Sequence, residues 1–203
     1  MGFLTLGAFR SSTNMAIELV QLVSDIAASL VEIDLSGARF KDFQPGVGPF
    51  GEPQLVKMVA DSLNSKAPYT GLAVTKRHPD LLIRGKWAVE VKIARPYGDN
   101  GREAESWSVN LLHPYEGNVS VVGDCFKMLN YSGSERRAVL VVGYEHRPAK
   151  IDLSPLFKSF EVIADIVCGI RLGQRVEVFS QKLTHPVHQQ FRVAAWEVLG
   201  RVS

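Results

Sequence analysis

Two carboxylates and an amine interrupt an otherwise apolar stretch of the chain, RHPDLLIRGKWAVEVK, which runs from Arg77 to Lys92. The charged residues within the strand segments are Asp80, Glu90 and Lys92, while Arg84 and Lys86 flank the central glycine and Arg77 begins the stretch. The apolar residues between them are typical of buried strands. Gly85 lies midway between the two acids, where a three-residue hairpin turn needs a residue that accepts a positive φ. The sequence therefore predicts a hairpin in which Asp80 faces Glu90.

Such a hairpin brings like charges together. Directly opposed residues on one face have Cβ atoms roughly 4.5–5.5 Å apart, and two carboxylates in that arrangement destabilise the pair. Strand alternation also places Glu90 and Lys92 on the same face. A divalent cation between the carboxylates would remove the repulsion, and the neighbouring ammonium could position a metal-bound water or help to deprotonate it. The charged face thus suits metal-dependent hydrolysis.

The elements that must position these residues alternate between helices and strands. Apolar periodicity predicts an N-terminal helical segment at about 11–40, which is entered through the cap-forming residues 11–14. A second helix, EPQLVKMVADSLNS, follows with Glu52 at its entrance and Pro53 in its first turn. The rest of a core at about 50–146 is predicted to be three strands, a helix and a buried strand. The strands are GLAVTKRH, DLLIRGK and WAVEVKIAR, the helix is NVSVVGDCFKMLNYS, and the buried strand is RRAVLVVGYE. The segment 95–117 is too long and irregular for a simple connection, which indicates a functional or mobile loop.

The last part of the chain, at about 152–203, is predicted to be a helix, a strand and a helix. Ser154 as N-cap and Pro155 open the first helix, RVEVFSQKL is the strand, and PVHQQFRVAAWEVLG is a closing helix ended by Gly200. We expect one domain, 1–203, with helices packed on a mixed sheet.

Composition excludes several classes of protein. The chain has 203 residues, 46% hydrophobic and 22% charged, which is typical of a soluble globular protein. Its net charge of +2 is too small for general charge-driven coating of nucleic acid, so any such site must be local. Cys125 and Cys168 lack the spacing of a disulfide framework or a zinc site. The first ten residues resemble neither a signal peptide nor a spanning helix, and we expect a cytoplasmic protein.

The dipeptide Pro79-Asp80, followed by Glu90-Val91-Lys92, resembles the motif of the PD-(D/E)xK nuclease superfamily, whose fold many restriction endonucleases share. The family core runs helix, three strands, helix, strand, and the segment from Glu52 to about 146 has the same predicted order. The resemblance covers roughly the middle half of the chain. It implies an α/β (α+β) fold with a restriction endonuclease-like core, in which helices flank a central mixed sheet.

The resemblance also implies hydrolysis of DNA phosphodiester bonds that depends on Mg²⁺ or Mn²⁺. Asp80, Glu90 and the backbone carbonyl of Val91 would bind the metal, and Lys92 would orient the attacking water. Glu52 would complete the metal shell or hold a second ion. The alternative for Glu52 is an ordinary acidic residue at a helix N-terminus, favoured by the helix dipole.

Basic residues near the motif are candidates for contacts with DNA phosphates. The candidates are Lys76, Arg77, Arg95 and Lys127, with Arg102, Arg136 and Arg137 also close in sequence. Lys127 shares a helical face with Asp124, and a solvated ion pair is the alternative there. Trp107 and Tyr115 could stack on bases, although aromatic residues in loops more often anchor the loop to its own core.

The histidines are predicted to be surface or helix-cap residues rather than metal ligands. They are His78, His113, His146, His185 and His188.

Several functions remain open within the resemblance, namely a restriction endonuclease, a Holliday-junction resolvase and a DNA-repair nuclease. The exonuclease branch of the family typically adds a Gln-x-x-x-Tyr after the lysine, and no glutamine occurs between Lys92 and Gln174. We therefore favour a small endonuclease that forms a homodimer to cut both strands. Outside this class, the chain could be a non-catalytic nucleic-acid-binding domain, or an unrelated enzyme or assembly protein whose hairpin charges are structural.

Overall fold

A mixed seven-stranded sheet forms the centre of the fold in a computed structural model that describes residues 16–202. The predicted cap-forming residues 11–14 and the apolar first ten residues lie outside this range. The helices are α1 (Leu19–Leu35), α2 (Glu52–Asn64), α3 (Val109–Leu112), α4 (Val121–Leu129) and α5 (Ser154–Val162), which continues as a π-helical turn (Ile163–Val167). None of the helices between residues 16 and 202 is long and apolar enough to cross a membrane.

The strands of the sheet are β1 (Ala73–Thr75), β2 (Leu81–Ile83), β3 (Trp87–Ala94), β4 (Arg136–Glu145), β5 (Ile170–Leu172), β6 (Val176–Gln181) and β7 (Gln190–Arg201). Their spatial order is β1-β2-β3-β4-β7-β5, and β6 also pairs with β7. Strands β3 and β4 are parallel, whereas the other neighbours are antiparallel. The prediction of helices on a mixed sheet is thus confirmed.

Apolar side chains cover both faces of the sheet. Val89 and Val91 of β3 pack in the core that includes α1 and α2. Ala88, one residue earlier, packs in the opposite core, which includes α4 and α5. Because side chains alternate along a strand, Glu90 and Lys92 share the face of Ala88. The charged residues therefore enter the sheet on the side that α4 covers.

The hairpin between β2 and β3 has the predicted register. Leu81 pairs with Val89 and Ile83 pairs with Trp87. Gly85, at the centre of the turn, has a φ of 67°, a conformation that costs glycine little and other residues more. Continuing the same register by one residue places Asp80 beside Glu90, as the turn glycine predicts.

The predicted closing helix is wrong, because residues 190–201 form the long strand β7. Strand β7 lies between β4 on one side and β5 and β6 on the other, so most of it is buried on both faces. Val193 and Ala195 face one core, while Ala194 and Trp196 face the other. A strand that is buried on both sides has no polar alternation, and a short apolar run of this kind cannot be distinguished from a helix by periodicity.

The other predicted elements of the C-terminal segment are present. Strand β6 matches the predicted RVEVFSQKL, and α5 begins at Ser154, one residue after its N-cap Leu153. The short strand β5 was not predicted. The loop at 95–117 contains the isolated bridge between Tyr97 and Glu103 as well as the short helix α3.

Candidate active site

The structure brings the four predicted catalytic residues to one place. Glu90 and Lys92 lie on β3, Asp80 immediately precedes β2, and Glu52 is the first residue of α2. Gly51 is the N-cap of α2 and Pro53 lies in its first turn, so the helix begins where the sequence predicts. This start places the Glu52 carboxylate 3.5 Å from the ammonium of Lys92.

Lys92 is held between two carboxylates. Its Nζ atom lies 3.5 Å from Oε1 of Glu52 and 3.3 Å from Oδ2 of Asp124, and its side chain is 14% exposed. Burial alone would lower the pKa of Lys92, but the charges of Asp124, Glu52 and Asp80 together raise it. Lys92 is therefore an ammonium ion near neutral pH, which donates hydrogen bonds and accepts none.

Asp124 is a member of the site that sequence analysis treated only as a candidate solvated partner of Lys127. It is buried in α4 with 1% exposure, and its Oδ1 atom lies 2.6 Å from Nζ of Lys127. Burial raises the pKa of Asp124, and the charges of Lys92 and Lys127 oppose that rise. The spacing of Asp124 and Lys127 is visible in the sequence, but the contact between Asp124 and Lys92 joins distant elements.

Glu90 is the most perturbed carboxylate of the site. It is 4% exposed, and burial together with the charge of Asp80 raises the pKa of Glu90 to about 7. Its Oε1 atom lies 2.6 Å from Nδ1 of His78, and its Oε2 atom lies 3.7 Å from Nζ of Lys127. His78 therefore contacts the site directly and is more than the surface residue that its sequence context predicts.

Asp80 is positioned by the backbone of the next strand. Its Oδ2 atom accepts a hydrogen bond of 2.9 Å from the amide of Val91. This contact fixes the carboxylate beside Glu90 and leaves its second oxygen, Oδ1, to face other groups. The carbonyl of Val91 remains a predicted ligand on the strength of the motif.

Glu52 lies within the electrostatic reach of the other acids. Burial, followed by the charges of Asp80 and Asp124, raises the pKa of Glu52, and Lys92 opposes the rise. A solvated residue at a helix N-terminus would not feel these groups. Glu52 is thus coupled to the other charged groups of the site while it also occupies the first turn of α2.

The charges of the site do not balance. Four carboxylates (Glu52, Asp80, Glu90 and Asp124) contact or influence two ammonium groups, Lys92 and Lys127. Full ionisation would leave more carboxylates than ammonium groups in a largely buried setting, with the imidazole of His78 as a further neighbour of Glu90. A divalent cation would reduce this excess of negative charge, and carboxylate oxygens are ligands that Mg²⁺ prefers.

The predicted DNA-contacting residues have different environments. Lys76 and Arg77 are exposed and line, together with Asp80, a groove of about 360 Å³ beside the start of α2. Arg95 instead donates to the carbonyl oxygens of Pro49 and Phe50, at 3.5 and 2.9 Å. Lys127 belongs to the ion-pair network described above. The groove is thus the part of the surface where basic side chains and a candidate metal ligand meet.

Other candidate residues have structural partners. Arg136 pairs with Glu18 and Glu197, and Arg137 donates to carbonyl oxygens at the end of α4. Trp107 is partly buried against the core, whereas Tyr115 is 73% exposed.

The prediction of surface exposure is wrong for two histidines. His185 and His188, predicted as surface or helix-cap residues, are 1% and 2% exposed and lie ahead of strand β7 rather than at a helix entrance.

Comparison of the chain with family models, curated proteins and solved structures found no match.

Proposed function

We propose that this chain is a Mg²⁺-dependent DNA endonuclease of the restriction endonuclease-like kind. The observation that carries the proposal is the excess of carboxylates where Asp80 lies beside Glu90 and where Lys92 contacts Glu52 and Asp124. A purely structural ion-pair network would be expected to neutralise itself. This network instead has the charge, and the oxygen donors, of a divalent-cation site.

The order of the elements supports the same proposal. Helix α2, strands β1 to β3, helix α4 and strand β4 follow one another in the order that the resemblance implies, with the short α3 as an addition. Asp80 immediately precedes the second strand of this set, and Glu90 and Lys92 occupy the third. These positions support the resemblance.

Asp80, Glu90 and the carbonyl of Val91 would hold the metal, and Glu52 would complete its shell or hold a second ion. When bound, Mg²⁺ supplies Lewis-acid activation and neutralises charge on the phosphate. Lys92, fixed by Glu52 and Asp124, donates a hydrogen bond that orients the attacking water. His78, in contact with Glu90, lies in position to exchange a proton with that carboxylate.

The exposed side chains of Lys76 and Arg77 would hold the DNA backbone in the groove that Asp80 also lines. Cleavage of both strands of a duplex needs two such sites, which a symmetric dimer would provide.

The proposal is tested by incubating the protein with supercoiled, linear, single-stranded and branched DNA in Mg²⁺, Mn²⁺, Ca²⁺ or EDTA. We expect cleavage of at least one substrate in Mg²⁺ or Mn²⁺, and binding with little turnover in Ca²⁺, whose looser coordination serves this chemistry poorly. Cleavage that persists in excess EDTA would contradict the proposal. Metal-dependent binding without cleavage of any substrate would instead indicate a non-catalytic nucleic-acid-binding domain.

A further inference from the structure

A second group of potential metal ligands lies apart from the carboxylates of the hairpin. Asp99, in the loop after β3, and His185 and His188, ahead of β7, each offer one ligand atom, and the three atoms lie within 4.8 Å of one another. The two imidazole rings are stacked with their centroids 4.7 Å apart. His185 and His188 are almost fully buried, and the side chain of Asp99 is 20% exposed.

The atoms that face one another in this cluster lack hydrogen-bond partners. They are Oδ1 of Asp99, Nε2 of His185 and Nδ1 of His188. Buried polar atoms are normally paired, because an unpaired one loses its bonds to water and gains nothing in return. Three such atoms in one buried cluster indicate a missing ligand.

The hydrogen bond on the far side of His188 fixes which nitrogen is free. Its Nε2 atom lies 2.9 Å from the carbonyl oxygen of Tyr97, which can only accept, so Nε2 carries the ring proton. In the neutral ring, the lone pair of Nδ1 then faces Oδ1 of Asp99 at 3.5 Å. Two electron-rich atoms at this separation repel unless a proton or a metal ion lies between them.

The geometry of His188 suits a metal ion between these two atoms. Histidines that bind metals usually donate the N–H of the ring nitrogen that does not bind the metal to a carbonyl or carboxylate, as His188 does to Tyr97.

His185 is the part of the cluster that must adjust. Its Nδ1 atom accepts the amides of Val187 and His188, both at 3.2 Å, so the neutral ring carries its proton on Nε2. A cation at Nε2 would displace that proton to Nδ1. Nδ1 could then no longer accept hydrogen bonds, so the two long contacts with the amides of Val187 and His188 would be lost.

The surrounding backbone holds the cluster in place. Asp34 accepts the amide of Val47 through Oδ1 and the amide of Thr184 through Oδ2, and so joins the loop before α2 to the segment that carries both histidines. Gly48 packs so closely on His188 that a Cβ atom there would collide with the imidazole ring.

We propose that Asp99, His185 and His188 form a binding site for a transition-metal ion of the Zn²⁺ class. Imidazole nitrogens with one carboxylate suit Zn²⁺, whereas Mg²⁺ prefers oxygen ligands alone. The ion would fasten the loop after β3 to the segment before β7. This site is separate from the carboxylates of the hairpin and does not depend on the proposed nuclease activity.

Zn²⁺ titration by calorimetry and thermal melting of the metal-free protein test the site, with Co²⁺ absorption as a second readout. We expect one Zn²⁺ per chain and, at a free concentration about 100 times Kd, a rise in Tm of roughly 5–10 °C. Asp99→Asn and His188→Gln should each weaken binding at least ~10-fold. Asp42→Asn and His113→Gln, matched in chemistry but outside the cluster, should bind as the parent does.

The Asp80→Asn variant separates this site from the hairpin carboxylates. It should keep the Zn²⁺ response of the parent. No response of the parent to Zn²⁺ or Co²⁺, or a response that survives both Asp99→Asn and His188→Gln, would overturn the proposal. A response lost in Asp80→Asn but retained in Asp99→Asn would place the ion at the hairpin and overturn it equally. If His188→Gln does not fold, the more exposed Asp99→Asn decides the matter.

Discussion

Nζ of Lys92 lies 3.3 Å from Oδ2 of Asp124, a carboxylate with 1% exposure on the helix that covers this face of the sheet. Lys92 also contacts Glu52, so the two carboxylates hold the ammonium from different elements, α4 and α2. The lysine of the motif is therefore fixed before any ligand binds, which is the condition for orienting a water molecule.

Asp124→Asn should separate positioning from metal binding. The variant removes one charge that holds Lys92, so we expect a loss of ~1–3 kcal/mol in the free energy of unfolding and a fall of ~10-fold or more in cleavage rate. Stabilisation by Mg²⁺ should remain. Asp61→Asn, which breaks only an exposed helix pair with Lys57, should change stability by no more than ~0.5 kcal/mol. An unchanged cleavage rate in Asp124→Asn would reject the positioning role.

Asp80→Asn should behave in the opposite way in the absence of metal. The asparagine oxygen can still accept the amide of Val91, while the repulsion of Glu90 disappears. We expect the variant in EDTA to be as stable as the parent or more stable by ~0.2–1 kcal/mol. Its stabilisation by Mg²⁺ should vanish, because a ligand that binds the folded state stabilises only an intact site. Urea unfolding in EDTA and in Mg²⁺ measures both effects, and a clear destabilisation in EDTA would indicate a structural hairpin.

Glu90 should make stability depend on pH in a defined window. Its pKa is raised from about 4.5 to about 7, so the folded state keeps the proton to higher pH than the unfolded state. The stabilisation of the folded state by protonated Glu90 is therefore fully present below about pH 4.5 and is lost as pH rises through about 7. Relative to Glu90→Gln, the metal-free parent should lose on the order of 3 kcal/mol across this window.

Glu135 provides the control for that measurement. The amide of Gly85 and the hydroxyl of Tyr131 lower the pKa of Glu135, although burial opposes them. The stabilisation of the folded state by ionised Glu135 is present above the ordinary glutamate pKa and is lost as pH falls. The difference in unfolding free energy between the parent and Glu135→Gln should therefore change with pH in the opposite direction. Denaturant unfolding from about pH 3 to 8 covers both windows, with the slope of Glu135 below the ordinary glutamate pKa and that of Glu90 above it. If the difference in unfolding free energy between the parent and Glu90→Gln does not change between pH 4.5 and 7, the raised pKa of Glu90 is wrong.

Lys76 and Arg77 should contribute to DNA affinity without affecting chemistry. With ~4–8 phosphate contacts in total, the logarithm of the binding constant should fall against the logarithm of salt concentration with a slope of about −4 to −7. The double variant Lys76→Gln and Arg77→Gln should reduce this slope by about 2. Lys158→Gln, which removes a highly exposed charge from α5, serves as the control. Binding measured in Ca²⁺ at several salt concentrations tests this. An unchanged slope in the double variant would indicate that the DNA binds to another part of the surface.

Local signals predicted the hairpin well. The glycine at the turn and the two-residue alternation fix the pairing of β2 with β3, so the approach of Asp80 to Glu90 could be predicted from 11 residues of sequence. Strand β7 could not be predicted in the same way, because its pairing with β4 joins distant parts of the chain and its burial on both faces removes the alternation.

The site residues that the sequence did not predict are also brought together by contacts between distant parts of the chain. Asp124 reaches Lys92 from 32 residues along the chain, and Asp99 meets His188 from 89 residues away. Neither pair has a spacing that a local pattern can detect. The spacing of His185 and His188 does not match a helical metal pair, but this segment precedes strand β7 and is not the entrance of a helix.

Single-turnover cleavage by the parent, Lys92→Met and Lys57→Met in Mg²⁺ tests the central claim most directly. The account predicts that Lys92→Met keeps its stabilisation by Mg²⁺ and its DNA binding in Ca²⁺, while its cleavage rate falls ~10²-fold or more because the water loses its positioning donor. Lys57→Met, on the exposed side of α2, should cut as the parent does. Cleavage by Lys92→Met at the rate of the parent would contradict the account, as would a parent that neither binds Mg²⁺ nor cuts any DNA.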